Sequence, residues 1–311
     1  MRKTLHALYL EFNKLLGITE RWYAGSDDDR QLSHRPVFIL GAPRCGSTLL
    51  YQAMVTAFDF SFLSNAHCLL HGAPWMVEWL LTPSTRYRAS SYRSTYGSVE
   101  GWSAPSECGD FWYRFFPRKP QHVPIEHCSG NTLKNLRTSF RSLEKASGKP
   151  VLIKNLVNTL RLEPIMRAFP EALFLVLERE QKDIAHSILE SRKNRAGSYE
   201  AWFSLEPPGI EQLRKKPVVE QVVGQIRASY RSIAEAEQMA PGQFYHLTYE
   251  DFCSNPEREL HDIAAFFEKQ DAELPLSGPV PDPFERRSEI RIDKKLYNEL
   301  LQYLENQNEQ H

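Results

Sequence analysis

Residues 37–50, VFILGAPRCGSTLL, constrain the fold of this chain more than any other stretch. The apolar run Val37-Phe38-Ile39-Leu40 stops at Gly41, and after a short loop Ser47-Thr48-Leu49-Leu50 opens a helical pattern that runs to Phe58. That is strand, glycine loop, helix, the opening unit of a layered α/β architecture. Gly41 and Gly46 have the GxxxxG spacing of loops in which successive backbone amides and a helix N-terminus surround a phosphate, with the helix dipole adding favourable potential. Such loops continue with Lys and then Ser or Thr, the lysine reaching terminal phosphates and the hydroxyl holding magnesium. Here Gly46 is followed by Ser47 and Thr48, and the cation stands earlier, at Arg44, whose planar fork suits anion oxygens. The pattern predicts an anion-binding loop without the lysine-and-metal arrangement; the bland alternative is a strand-to-helix turn with glycines at this spacing by chance.

Short apolar runs at 151–153, 172–177 and 244–247 read as further buried parallel strands, each ending at a polar residue (Lys154, Glu178-Arg179, Thr248-Tyr249). Between them lie helical patterns: one capped by Asn131 and stopped at Gly148, with others at 181–194, 218–239, 256–269 and 293–305. This alternation predicts a P-loop-like, doubly wound parallel sheet flanked by helices. The 311 residues fit a single domain, with residues 60–130, which hold Trp75, Trp79, Trp102 and Trp112, as an irregular helical cap that binds the acceptor over the sheet's C-terminal edge.

A formal net charge of −1 argues against a nucleic-acid partner. No apolar run approaches the ~18 residues of a membrane span. The opening MRKTLHALYLEFNKLLGITERW has the charge of a signal sequence, but Glu11 and Lys14 interrupt it, so it reads as an amphipathic helix with Leu5, Leu8, Phe12, Leu15 and Leu16 on one side. That side is expected to pack on its own domain, with a homodimer or a membrane surface as the alternatives. Five cysteines without a CxxC pair predict reduced thiols and a cytoplasmic location.

A second constellation follows the strand at 172–177: Arg179 at its end and Ser187 eight residues on, two turns into the next helix. A guanidinium and a hydroxyl so placed can converge on one phosphate. Together with Pro43-Arg44-Cys45-Gly46-Ser47-Thr48, this resembles the sulfotransferases that use 3′-phosphoadenosine 5′-phosphosulfate, in the loop variant closer to tyrosylprotein and bacterial enzymes than to the cytosolic group. The resemblance runs from about residue 36 to 269. It implies that Arg44, Cys45, Gly46, Ser47 and Thr48 hold the 5′-phosphosulfate and that Arg179 and Ser187 hold the 3′-phosphate. Tyr249, in Tyr249-Glu250-Asp251-Phe252, would then lie near the adenine. Around Arg179 the chain departs from its relatives, reading Glu178-Arg179-Glu180 where they carry Arg-Asp-Pro. A sulfuryl group carries less charge than a terminal phosphoryl group, so no metal is expected.

Transfer to a hydroxyl or amine needs a cation near the bridging oxygen and a base for the acceptor's proton. Lys154, closing a predicted strand where relatives also carry lysine, is the expected cation. For the base, the position nearest to the relatives' glutamate is Asn65, which cannot serve; His67 is preferred and Glu107 competes. A zinc site from His67, His71, His122, His127 and Cys68 or Cys128 lacks a tight ligand pair and is set aside. The acceptor is expected to be a small molecule, lipid or carbohydrate, held by Trp75, Trp79, Trp102, Phe111, Trp112 and Tyr113. Arg286, Arg287, Ser288 and Arg291 are expected to close over the nucleotide. Two alternatives remain at this point: a divergent nucleotide kinase, which the missing lysine disfavours, and a nucleotide-binding relative without catalysis, which Asn65 keeps open.

Overall fold

A strand as apolar as 37–41 must be covered on both faces. The computed structural model, which describes residues 2–25, 31–80, 87–89, 91–286 and 289–308, does so with a sheet of five parallel strands. They are β1 (Val37–Gly41), β2 (Ser61–Phe62), β3 (Val151–Lys154), β4 (Leu173–Glu178) and β5 (Phe244–Thr248), in the order β2-β3-β1-β4-β5. The helices are α1 (Arg2–Ala24), α2 (Ser47–Ala57), α3 (Asn65–Leu69), α4 (Pro74–Leu80), α5 (Gly109–Trp112), α6 (Gly130–Ser147), α7 (Leu162–Ala168), α8 (Gln181–Ala196), α9 (Ile210–Leu213), α10 (Val218–Met239), α11 (Tyr249–Ser254), α12 (Pro256–Lys269) and α13 (Lys294–Asn308).

Side chains alternate across a strand, and β1 uses both faces. Val37 and Ile39 enter a core shared with α2, α8 and α12, whereas Phe38 and Leu40 enter the opposite core with α6 and α7; α10 contributes to both. The chain builds β3 and β2 on one side of β1 and β4 and β5 on the other, so the strand order reverses at β1. The crevice at its C-terminal edge is where ligands of open α/β sheets bind.

The expected strands are present, each ending one residue later than the apolar runs indicate. Two local readings change. The cap of α6 is Ser129, whose hydroxyl accepts from the Thr132 amide at 3.1 Å, rather than Asn131. Residues 60–130 are not all cap, because β2 pairs with β3 at the sheet edge; a strand of two residues is too short to show a hydrophobic period.

The N-terminal helix departs most from expectation. It docks through its polar side: Asn13 bonds to Leu69 and Gly72, and Glu20 pairs with Arg114 and accepts from Ser139 (2.7 Å) and Ser142 (3.3 Å). Leu5, Leu8, Phe12 and Leu15 face outward, each more than half exposed. The Glu20 carboxylate is 3% exposed, so removing its cation leaves a buried charge held only by two hydroxyls. Arg114→Ala is therefore expected to lower unfolding free energy by about 3 kcal/mol in urea titrations; a loss below about 1 kcal/mol would show that the pair does not hold α1 in place.

Candidate active site

The loop between β1 and α2 has a left-handed backbone at Arg44 (φ 69°) and Gly46 (φ 102°). The second position has to be glycine, since a Cβ there would lie 2.3 Å from a ring carbon of Tyr249. Arg44 sends its Nε to the Ser187 hydroxyl of α8 at 3.0 Å. Arg179, from the end of β4, donates through Nη1 to the Arg44 carbonyl at 3.1 Å and stacks 4.4 Å above the Tyr249 ring. Residues drawn from four separate segments thus meet at one sheet edge.

This corner is prepared for an anion. The first turn of α2 has no side-chain cap, so its dipole is open toward the cleft. The Arg179 Nε is buried without a hydrogen-bond partner, as a donor awaiting an acceptor would be. Burial pulls the Arg44 pKa down, with Glu190 opposing that shift and Arg179 adding to it. Burial also pushes the Tyr249 phenol up to about 12, so it is a neutral ring at physiological pH.

About one helical turn along the loop lies the second half of the site. Lys154, 2% exposed at the end of β3, donates to the Thr48 hydroxyl at 3.0 Å and forms an ion pair with Glu107. Above them sits the tip of a short turn closed by a bridge between Thr95 and Ser98. A Cβ on Gly97 would lie 3.7 Å from the Thr48 hydroxyl, 3.9 Å from the Lys154 ammonium and 4.0 Å from Glu107. Beside it the Tyr96 ring faces the guanidiniums of Arg44 (5.8 Å) and Arg195 (5.5 Å). Both halves line one cleft of about 660 Å³.

Of the residues read from the sequence, Arg44, Gly46, Ser47, Thr48, Glu107, Lys154, Arg179, Ser187 and Tyr249 all line this cleft. His67 does not. It is fully buried in the cap of α3, its Nδ1 bonded to the Ser64 amide (3.0 Å) and hydroxyl (2.8 Å), with Nε2 3.5 Å from Glu78. Those bonds hold the start of α3, and the ring has no path to an acceptor. Cys45 also turns away: its thiol packs in the core and its amide donates back to the Ala42 carbonyl at 3.2 Å.

The expected aromatic acceptor wall is absent. Trp112 and Phe111 are core residues, Trp75 stacks on Tyr23 (3.9 Å), Tyr113 lies under Arg118 (4.2 Å), and Trp79 and Trp102 face outward. The stretch 92–97 lines the cleft in their place.

Sequence reading missed Asp183, His186 and Glu190, which join Ser187 on the cleft side of α8; their spacing of three and four from one another was the available signal. His186 accepts from the Arg291 amide at 2.9 Å, and burial lowers its pKa, so the imidazole is neutral and ties the C-terminal segment to α8. Of the segment expected to close over the nucleotide, Arg291 lines the cleft with its guanidinium held by Glu190 and Glu289, and Arg286 does not line it; Arg287 and Ser288 lie outside the described residues.

Comparison with known proteins agrees with this geometry. Residues 36–273 match the model of the sulfotransferase family. The chain is 24% identical over 271 residues to the omega-hydroxy-beta-dihydromenaquinone-9 sulfotransferase Stf3 of Mycobacterium bovis and to its Mycobacterium tuberculosis counterpart, covering 81% of this chain and 67% of theirs. In fold it is similar to the sulfotransferase STF9 of Mycobacterium avium (TM-score 0.53, 13% identity, 90% of this chain and 78% of that one). It is also similar to STF1 of M. tuberculosis (TM-score 0.50, 15% identity, 82% and 72%). With a loop, a sheet and a family match that agree over most of its length, the chain belongs to the sulfotransferase family.

Proposed function

We propose that this enzyme moves a sulfuryl group from 3′-phosphoadenosine 5′-phosphosulfate to a hydroxyl on an apolar, lipid-like acceptor, without a metal. The observation that carries the donor assignment is the buried, unpartnered Arg179 Nε beside Arg44, Ser187 and the uncapped start of α2. When bound, the donor supplies a sulfuryl group already activated on a phosphate. Arg179 and Ser187 bind its 3′-phosphate, Tyr249 packs against the adenine, and Arg44 and the α2 amides bind the 5′-phosphate. Thr48 and Lys154 stabilise negative charge developing on the leaving oxygen. Glu107 replaces His67 as the base: its carboxylate is 39% exposed in the cleft and accepts the acceptor's proton beside Lys154. The acceptor class follows from the name of the curated relatives, which act on an omega-hydroxylated menaquinone. The unpaired cysteines support a reducing, cytoplasmic location.

Calorimetric titration with 3′,5′-adenosine bisphosphate in EDTA tests the donor site. Tight metal-free binding is expected, with Arg179→Ala weakening it about thirtyfold, the loss of a charge-assisted phosphate contact. Binding only of ATP with magnesium, or an unaffected variant, would refute the assignment.

A further inference from the structure

The outward face of α1 has no partner within the chain. Leu5, Leu8, Phe12, Leu15, Ile18 and Trp22 recur at spacings of three and four and are 61%, 65%, 51%, 65%, 66% and 83% exposed. At about 100° per residue they cover roughly 140° of the helix surface. This is the reverse of a helix packing by its apolar side, because Asn13 and Glu20 on the other face make the docking bonds. The surface continues beyond α1. Trp75 of α4 stacks on Tyr23, and one turn along the same face of α4 Trp79 is 72% exposed. Leu69, which ends α3 and whose carbonyl accepts from Asn13, is itself 46% exposed.

We infer that this face is a docking surface for an anionic lipid bilayer, with α1 lying in the plane of the interface. No helix among the described residues is long and apolar enough to cross a membrane, so the contact is peripheral. Charge selects the lipid. Residues 2–24 carry Arg2, Lys3, Lys14 and Arg21 against Glu11 and Glu20; Glu20 is turned inward onto Arg114 and Glu11 pairs with Lys14 at 2.5 Å, which leaves an excess of three cations, Arg2, Lys3 and Arg21. A basic amphipathic helix with Trp, Phe and Leu on its apolar side is the composition that settles at a headgroup boundary. Exposed tryptophans on two helices fit the same boundary, where an indole keeps its ring in hydrocarbon and its N–H in water.

A second copy of the chain fits less well. Helix pairing buries two positions in every seven, and although Leu5, Leu8, Phe12, Leu15 and Trp22 keep that spacing, Ile18 lies beside the seam and widens the stripe. Two such helices also bring like charges together. The contact further orients the cleft. Trp102, 63% exposed, holds α3 through its carbonyl, which accepts from Ala66 at 2.9 Å, and Gly101 and Val99 accept from Asn65 at 2.8 and 2.9 Å. That strand of chain leads directly to Gly97 over the Lys154–Glu107 pair. Bilayer docking does not depend on the donor assignment, but it would bring a lipid hydroxyl to the acceptor side of the site.

Flotation of the full chain with vesicles of phosphatidylglycerol and phosphatidylethanolamine, beside phosphatidylcholine vesicles, tests this. The protein is expected to float with the anionic vesicles, to bind phosphatidylcholine at least about tenfold less, and to be released as salt is raised. The double variant Leu8→Ser, Leu15→Ser alters only exposed side chains and should lose vesicle binding by at least about tenfold while keeping its circular dichroism and its titration with 3′,5′-adenosine bisphosphate. Failure of the unaltered protein to float with anionic vesicles overturns the inference, as does flotation that the variant leaves unchanged. Light scattering that finds a dimer, which the variant turns into monomers, overturns it too by assigning the face to a second copy.

Discussion

Alanine at Lys154 is expected to slow sulfuryl transfer by about two to three orders of magnitude while leaving the affinity for 3′,5′-adenosine bisphosphate within a few-fold of the original. The reason lies in where the charge sits. The ammonium is buried between the Thr48 hydroxyl and Glu107, at the junction of the two halves of the cleft, away from the Arg179–Ser187 corner that would bind the 3′-phosphate. In the proposed reaction a cation there would stabilise charge that appears only as the bond to sulfur breaks, so its loss would fall on kcat rather than on ground-state binding. Glu107→Gln is expected to act in the same direction, and because the two side chains form one ion pair, the double variant should lose less than the product of the single effects. The readout is release of 3′,5′-adenosine bisphosphate from the donor in the presence of the proposed lipid-like hydroxyl acceptor. A Lys154→Ala enzyme with unchanged kcat, or one whose nucleotide affinity collapses in parallel, would place the lysine outside the chemistry.

The second large effect is expected at Gly46. Alanine there incurs two separate penalties. A φ of 102° is costly for any residue with a Cβ, on the order of 1–3 kcal/mol, and the new carbon would lie 2.3 and 2.6 Å from two carbons of the Tyr249 ring. The ring has to leave, and it carries the face on which Arg179 stacks at 4.4 Å. Binding of 3′,5′-adenosine bisphosphate should weaken by at least about a hundredfold. Removing the ring as well, in Gly46→Ala with Tyr249→Ala, relieves the overlap but not the backbone strain and should recover only part of the melting temperature. Affinity within about threefold of the original in the single variant would mean that the loop bends away at little cost, contrary to this account.

These two positions also mark how much could be read from the chain itself. The sheet and the meeting of Arg44, Arg179 and Ser187 at its edge were legible because they rest on short-range rules: apolar runs long enough to count, glycine at a spacing that needs it, and a guanidinium at a strand end with a hydroxyl two helical turns away. Most of what stayed hidden depended on long-range placement, with His67 the exception. His67 has the right chemistry for a base, but Ser64, three residues before it, claims its ring for a helix cap, and only burial reveals the choice. The cap tryptophans could be core, wall or surface by composition, and the structure uses them as core and surface. The orientation of α1 was inverted for a related reason. Periodicity identifies an apolar side but not its direction, and here Arg114, Ser139 and Ser142, more than ninety positions away in sequence, supply the partners that draw the polar side inward.

The backbone tip at Gly97 bears on how the enzyme would avoid wasting its donor. An activated sulfuryl group is as open to attack by water as by an alcohol, and an open trough over Lys154 would favour futile hydrolysis, given the abundance of the solvent. At Gly97 the main chain stops a methyl group's width short of Thr48, Lys154 and Glu107, and a glycine in the left-handed region leaves that space open to an alcohol, which a side chain would fill. Partitioning between productive turnover and solvolysis would then depend on whether acceptor or water fills that space, beside a few atoms of peptide outside the groups that carry the chemistry.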